Sequence, residues 1–425
     1  MRLPFIILSV MLVGCNGYRP LALTEQTAVI EQKQIAEIDT IELLTNGVID
    51  EKSAVDLALR FNPDIRIPII RNRGWGDNEV QFRGVARPEL SVSKEDATMA
   101  LNIDVLSLYN LLNSDERHVW REMRRAERTQ AFAEQTGGVI RLTRDVHLAF
   151  LELARFTKQR EILEHQLSTL HDYHKRFAAT FDIGSGILYD LSESELKTKI
   201  ANIILSIDNA NLLIKRLIGI EPEHVVRFNT ESCLNVTVMP EMKTVHAMSE
   251  LASNNNWLLI SLSSQYIRKE YELRQSYLRR WGNLSVGPSM TFTRDGNSAA
   301  DVSAGVSVRL RIPWPSHSDD QIHDVSDERL LAAARYTEAL HNLQSDIIRQ
   351  YTEMLEKWKR IKNPTVSTEW LSLLLAGEAK SMTVHAYLDA LGRIGVHEIQ
   401  QVDDIARYKL ANIILDSLLA SSASK

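Results

Sequence analysis

Leu284-Ser285-Val286-Gly287-Pro288-Ser289-Met290-Thr291-Phe292-Thr293, followed after a turn by Val302-Ser303-Ala304-Gly305-Val306-Ser307-Val308-Arg309-Leu310-Arg311-Ile312, is the stretch on which the fold turns. Alternate residues of a strand share a face. In the first run Leu284, Val286, Met290 and Phe292 oppose Ser285, Gly287, Ser289, Thr291 and Thr293. In the second, Val302, Ala304, Val306, Val308, Leu310 and Ile312 oppose Ser303, Gly305, Ser307, Arg309 and Arg311. Arg294-Asp295-Gly296-Asn297 between them is turn chemistry. An earlier pair has the same character. Leu90 and Val92 alternate with Ser91 and Ser93, Lys94 to Ala97 forms the expected turn, and Met99, Leu101, Ile103 and Val105 alternate with Thr98, Ala100, Asn102 and Asp104.

A soluble sheet with one wet face alternates in this way. Two features favour a membrane. The strands run about nine to eleven residues, the length a tilted strand needs to cross a bilayer. Their polar faces carry Ser, Thr and Gly with two Arg, as suits a wet barrel lumen. Met99, Leu101, Ile103, Met290, Phe292, Val306 and Val308 are then expected to face lipid. Asn102, Asp104, Arg309 and Arg311 are expected to face the lumen. Four strands cannot close a barrel and open edges are not tolerated in lipid, so closure requires several chains. Three chains would supply roughly a dozen strands, an acceptable even number.

Around the strands lie long helices. From about Asp115 to Asp182 there is no proline, and only Gly137-Gly138 is expected to interrupt. A continuous helix of that span would be roughly 100 Å long. Ile200, Ile203, Ile204 and Ile207, with Leu213 and Leu217, mark an apolar stripe on a return helix. A second pair is expected from about Asp324 to Trp370, kinked or broken at Pro364, and from Met382 to Leu419, with Ile413, Ile414 and Leu418 near its end. An antiparallel coiled-coil bundle without a channel would show the same stripes. Strand pairs at matching points between the helices favour the channel.

The chain is written twice, at an offset of about 194 residues. Leu57-Ala58 and Asn62 align with Leu251-Ala252 and Asn256, and Leu90-Ser91-Val92 with Leu284-Ser285-Val286. Ile183-Gly184 lines up with Ala376-Gly377, the offset having slipped by one. The expected division is a leader at 1–14, a tether at 15–50, repeats at 51–222 and 246–419 joined by a linker at 223–245, and a tail at 420–425.

At the start, Arg2 and the apolar run Leu3 to Val13 have the form of a signal peptide, too short to span a bilayer as a helix. Leu12-Val13-Gly14-Cys15 resembles the lipobox of bacterial lipoproteins, which implies a lipid on Cys15; the alternative is an incidental Cys in an ordinary leader. Asn16, in the place where an Asp holds such lipoproteins in the inner membrane, leaves the outer membrane open. The other cysteine is Cys233, so a lipidated Cys15 leaves no intrachain disulfide. The net charge of −6 excludes a nucleic-acid binder that relies on neutralising phosphates.

With these residues in place the sequence resembles the TolC family of outer membrane efflux proteins from about Ser53 to Leu419. Leu57-Ala58-Leu59 through Asn62-Pro63 is similar to the family's opening helix. Phe181-Asp182-Ile183-Gly184 through Tyr189-Asp190-Leu191 is similar to its first helical tip, and Leu375-Ala376-Gly377 with Thr383-Val384 to its second. Leu310 to Pro313 resembles the exit from the fourth strand. The implied fold is mainly α with a small β part: duplicated long antiparallel coiled-coil helices plus four strands of a trimeric 12-stranded outer membrane barrel continued by a periplasmic helical tunnel. The implied role is a passive outer membrane exit duct of a tripartite efflux or type I secretion system. Its partners would be two further copies, a periplasmic adaptor, an inner membrane pump and outer membrane lipid.

Gly184, Ser185, Gly186, Asp190 and Leu191 on the first tip, and Gly377, Ser381, Thr383 and Val384 on the second, would meet the adaptor. Ala379 is a further small side chain there. A plain helix–helix turn explains the glycines equally well. Some family members close the tunnel with acidic rings on the second tip; the matching positions here are Thr383 and Ala386. Pro313 to Asp320 replaces a Gly-rich turn, and Trp281 and Trp314 flank the second strand pair.

Catalytic motifs are not found. His171 and His174 sit three apart, a spacing metal ligands use, without a partner motif. Glu193 and Glu195 are two apart and do not share a helix face. Cys233 lacks an activating neighbour in sequence. Neither an enzyme nor a cofactor is expected. A lipid-anchored coiled-coil scaffold without a pore is the alternative to the channel.

Overall fold

The computed structural model describes residues 48–65, 89–95, 98–104, 114–177, 182–236, 244–279, 283–293, 301–311, 315–363 and 383–420. The leader at 1–14, Cys15, most of the 15–50 tether, Trp281, the 294–297 turn, Pro313, Trp314, Pro364, Trp370, Gly377, Ala379 and Ser381 lie outside the described residues.

The chain passes through β1 (Val48–Ile49), α1 (Glu51–Phe61), β2 (Glu89–Glu95), β3 (Thr98–Asp104), α2 (Ser114–Phe177) and α3 (Ile183–Ile218). It then repeats the plan with β4 (Arg227–Phe228), α4 (Val245–Asn255), α5 (Trp257–Arg279), β5 (Asn283–Thr293), β6 (Asp301–Arg311), α6 (Pro315–Lys362) and α7 (Val384–Leu419). The short β1 and β4 pair in parallel, Val48 opposite Arg227 and Ile49 opposite Phe228.

Both short opening helices are capped alike. The Asp50 carboxylate accepts from the Ser53 N–H at 3.0 Å, and the Thr244 hydroxyl accepts from the Ala247 N–H at 3.3 Å. Both helices end in an asparagine that does two jobs. Asn62 Nδ2 donates to the Leu217 carbonyl at 3.0 Å while its Oδ1 accepts from the Asp64 N–H at 2.8 Å. Asn256 Nδ2 donates to the Leu418 carbonyl at 3.2 Å while its Oδ1 accepts from the Leu258 N–H at 2.9 Å. The last carbonyls of a helix have no partner within it. Each asparagine therefore ties its opening helix to the end of a return helix.

These ties correct the alignment at the tips. The return helices α3 and α7 are each 36 residues long, α3 opened by the Asp182 cap and α7 by Thr383. They coincide at an offset near 201, and α7 begins well after Gly377 rather than beside it. The expected stripe on α3 is also not its core face. Ala210, Ile214 and Ile218 are buried, Ile207 and Leu217 pack against them, and Ile204 and Leu213 are exposed.

Gly137-Gly138 does not interrupt α2, which runs 64 residues, roughly 95 Å. A Cβ on Gly137 would collide with the Trp257 ring, which lies against the helix backbone there, whereas one on Gly138 would meet nothing. Arg141 covers the same ring at 4.8 Å. Gly137 is thus where α5 begins its close packing on α2. At the other boundaries, α6 starts earlier than expected, at Pro315, and ends at Lys362 rather than near Trp370. Proline suits the first helical position because the N–H it lacks would be unpaired anyway. The residue before Pro364 is steered away from helix, which stops α6.

The four longer strands form one antiparallel sheet in the order β2-β3-β5-β6. Lys94 and Glu95 belong to β2 rather than to a turn, Glu95 standing opposite Thr98. Among the described residues, three separate cores hold the helices. One gathers Leu57, Phe61, Phe150, Ile214 and Ile218 of the first repeat, and a second gathers Met248, Leu259, Ile347, Tyr408 and Leu415 of the second. The third joins the repeats near the tips through Leu170, Tyr173, Tyr189, Tyr387, Leu391 and Ile394.

Candidate functional site

The sheet sits at one end of the helical body and the starts of α3 and α7 at the other. The strand register sorts the sheet residues into two sets. Leu90 stands opposite Ile103, Val92 opposite Leu101, Met99 opposite Phe292, and Leu101 opposite Met290. Phe292 continues to Val302, Val286 to Val308 and Leu284 to Leu310. The apolar alternation of each strand thus falls into phase across all four, with Lys94 opposite Met99 as the polar member. The other set contains Ser91 opposite Asn102, Asn102 opposite Ser289, Thr291 opposite Ser303 and Ser285 opposite Arg309. A single-residue slip at any pairing would mix the sets.

At the tips, Asp182 accepts from the Ser185 N–H at 2.8 Å, and hydrogen bonding by the Ser185 side chain and then by that N–H holds its carboxyl below the usual range. Gly184 and Asp190 are exposed, and Ser185 and Gly186 half-buried, in the opening turns of α3. Ile183, Ile187 and Leu191 recur every fourth residue and are 87%, 63% and 65% exposed, an apolar stripe on the outside of the tip. Thr383, the position compared with an acidic ring, is a helix cap: its hydroxyl accepts from the Ala386 N–H at 3.3 Å. Val384, next to it, packs against the third core.

The aromatic group that the sequence reading missed lies just behind these caps. Tyr173 of α2 and Tyr387 of α7 stack with centroids 3.7 Å apart and planes 10° apart. Phe177 adds to Tyr173 at 5.0 Å, and His174 stacks on Tyr189 at 4.2 Å. Burial pushes the phenols of Tyr173, Tyr189 and Tyr387 above their ordinary range. The signal in sequence was tyrosine at tip-proximal positions of three helices, which the apolar stripes outweighed.

Above this cluster, between α2, α3 and α7, an open groove of about 1450 Å³ is lined by Gln166, Lys199, Asp389, Gly395 and Asp403 among others. Gln166 occupies the space a Cβ at Gly395 would need. In the groove wall Lys357 and Asp404 pair at 2.8 Å with side chains only 9% and 13% exposed. Asp403 accepts from Gln159 Nε2 at 2.8 Å.

The histidines do not converge. His171 reaches Glu193 at 3.1 Å, while His174 stacks on Tyr189. Lys197 and then His171 hold the Glu193 carboxyl below its usual range. Among the described residues no three metal-ligating side chains come together. Cys233 is buried, 3.8 Å from Glu51 Oε2. Burial, then the Glu51 charge, pushes its thiol up to about 12, so it holds its proton at neutral pH. No described helix is long and apolar enough to cross a membrane.

A duplicated set of long helical hairpins carrying a four-stranded sheet is the fold of the TolC-type outer membrane channels. The outer membrane protein VceC from Vibrio cholerae superimposes with a TM-score of 0.68 over 87% of this chain and 96% of its own, at 14% identity. The channel-forming CusC gives 0.69 over 87% and 92% at 13% identity. The open state of the MtrE outer membrane channel from Neisseria gonorrhoeae gives 0.65 over 87% and 89% at 11% identity. In sequence, no family model and no curated protein matches the chain.

Proposed function

We propose that this chain is a passive outer membrane exit duct and catalyses no reaction. Three copies, each giving four strands, would close a barrel of about twelve strands. The helical hairpins would continue it as a tunnel into the periplasm. The observation that carries this reading is the in-phase apolar set running across all four strands of a sheet whose two outer strands have no further partner among the described residues. A sheet in lipid must have its edges paired, since a bare backbone polar group costs several kcal/mol there, about 2 or more each.

Within that reading Met99, Leu101, Ile103, Met290, Phe292, Val306 and Val308 face lipid, and Asn102, Asp104, Arg309 and Arg311 face the lumen. A lipid on Cys15 adds a second hold on the outer membrane. The exposed stripe Ile183, Ile187 and Leu191, with Gly184, Ser185, Gly186 and Asp190 beside it and Gly377, Ser381, Thr383 and Val384 on the second tip, meets a periplasmic adaptor joined to an inner membrane pump. The pump supplies the energy; this chain supplies wall, aperture and docking surface.

Single-channel conductance of the detergent-purified protein in a planar bilayer, with the oligomer mass taken on the same sample, tests the proposal. A trimer with discrete conductance steps is expected. A monomer without conductance would replace the duct by a pore-less envelope scaffold.

A further inference from the structure

Among the described residues, the order β2-β3-β5-β6 leaves one side of β2 and one side of β6 as the edges of the sheet. The chemistry at those edges is unequal. At the end of the sheet nearer the helices, Glu89 opens β2 and its register partner on β3 is Asp104, a second acid. Like charges directly opposite across a ladder are destabilising. At the same end, Arg309 and Arg311 close β6, and their register partners on β5 are the neutral Ser285 and Asn283. One edge thus carries an acid set against an acid, and the other carries two cations set against neutral residues. All six residues belong to the polar alternation of their strands. Three strand spacings separate β2 from β6 within one copy, roughly 14 Å, too far for a direct pair.

Resting on the barrel reading above, in which the β2 edge of one copy meets the β6 edge of the next, we propose that Glu89 is set against Arg309 and Arg311 of that second copy. The seam is then an electrostatic lock on the lumenal side of the barrel wall, repeated at every junction. It sets cations against an edge position whose register partner is a second acid. A copy therefore gains most from meeting its own kind in the same orientation, with β2 and β6 antiparallel. At the far end both edges are acidic, Glu95 on β2 and Asp301 on β6. The attraction is confined to the helix-side end, and the far end of the seam relies on backbone pairing.

Charge reversal tests the lock in the full chain. The trimer fraction of detergent-purified protein is measured by native mass at low salt for the wild type, Glu89→Arg, Arg309→Glu with Arg311→Glu, and all three together. Each one-sided reversal is expected to lower the trimer fraction roughly tenfold or more, and the combined swap to restore most of it. A second readout covers the case in which a reversed strand fails to fold. Glu89→Cys combined with Arg309→Cys should give a covalent ladder up to trimer on a non-reducing denaturing gel, each single cysteine giving none. An intrachain bridge is excluded because cysteines bridge only when their Cα atoms lie within about 7 Å. One-sided reversals that assemble like a trimeric wild type would overturn the lock while leaving the channel standing. So would a swap that restores nothing together with a cysteine pair that gives no ladder. A monomeric wild type would overturn the channel reading itself.

Discussion

Two neighbouring glycines in α2 show how much a single hydrogen can decide. Alanine is the better helix former by about 1 kcal/mol, so propensity alone would improve both positions. Gly138→Ala is expected to raise the urea midpoint, since nothing lies near its Cβ position. Gly137→Ala is expected to lower it by an amount equivalent to about 1–3 kcal/mol, because the Trp257 ring must shift. Equal responses would show that the ring is not seated there. Cys233 offers a second check. Its thiol should resist iodoacetamide at neutral pH until the chain unfolds, as burial holds it protonated. The sign with pH follows. The folded thiol titrates at about 12 and the unfolded one near 9, so between those values only the unfolded chain ionises and stability falls as pH rises. Alkylation at the rate of a free thiol in the native state would contradict the buried site.

Among the elements, the sequence was most legible where periodicity is local. The four strands lie within a residue or two of where alternation set them, but only β5 and β6, at 11 residues, reach the expected length; β2 and β3 are 7 residues each. The long helices were legible from the lack of proline, but their joints were not. Gly137-Gly138 reads as a break until Trp257, far away in sequence, is found against it. Pro315 reads as a loop until it is recognised as a first helical residue. The tip residues carried no sign that Thr383 would be a cap, nor that Tyr173 and Tyr387 would meet across two repeats. The buried Lys357–Asp404 pair joining α6 to α7 was equally silent, since its partners lie on different helices. Lys357→Met should cost roughly 3–5 kcal/mol in chemical unfolding by leaving Asp404 buried and unpaired. Changing both to Met and Leu should recover most of that loss.

For the whole molecule, three cores in place of one mean that the ends answer to different contacts. The tip core is small, and the Tyr173–Tyr387 stack lies at its centre. Tyr387→Ala should increase amide exchange around Leu391 and Ile394 and leave Phe150 and Ile214 in the first core unchanged. If three copies form a duct, the same variant should raise single-channel conductance by loosening its entrance; unchanged conductance and exchange would assign closure elsewhere. Val306→Asp is the matching test at the sheet end. Under the channel reading it should destabilise each copy by less than the about 2–4 kcal/mol that a lysine or arginine costs on the lipid face, and reduce trimer yield. Normal yield would count against a barrel.

The return helices, each 36 residues between a side-chain cap and an asparagine-held carbonyl, act as a pair of matched rulers. Each measures roughly 54 Å from the asparagine level to its tip. The starts of α3 and α7 therefore lie at nearly equal distances from their asparagines, and a ring of copies would hold those starts in a level rim. Adding one heptad to a single ruler would raise its tip by about 10 Å and leave that rim crenellated. Length changes in this chain are thus tolerable only in step, twice over, once in each half.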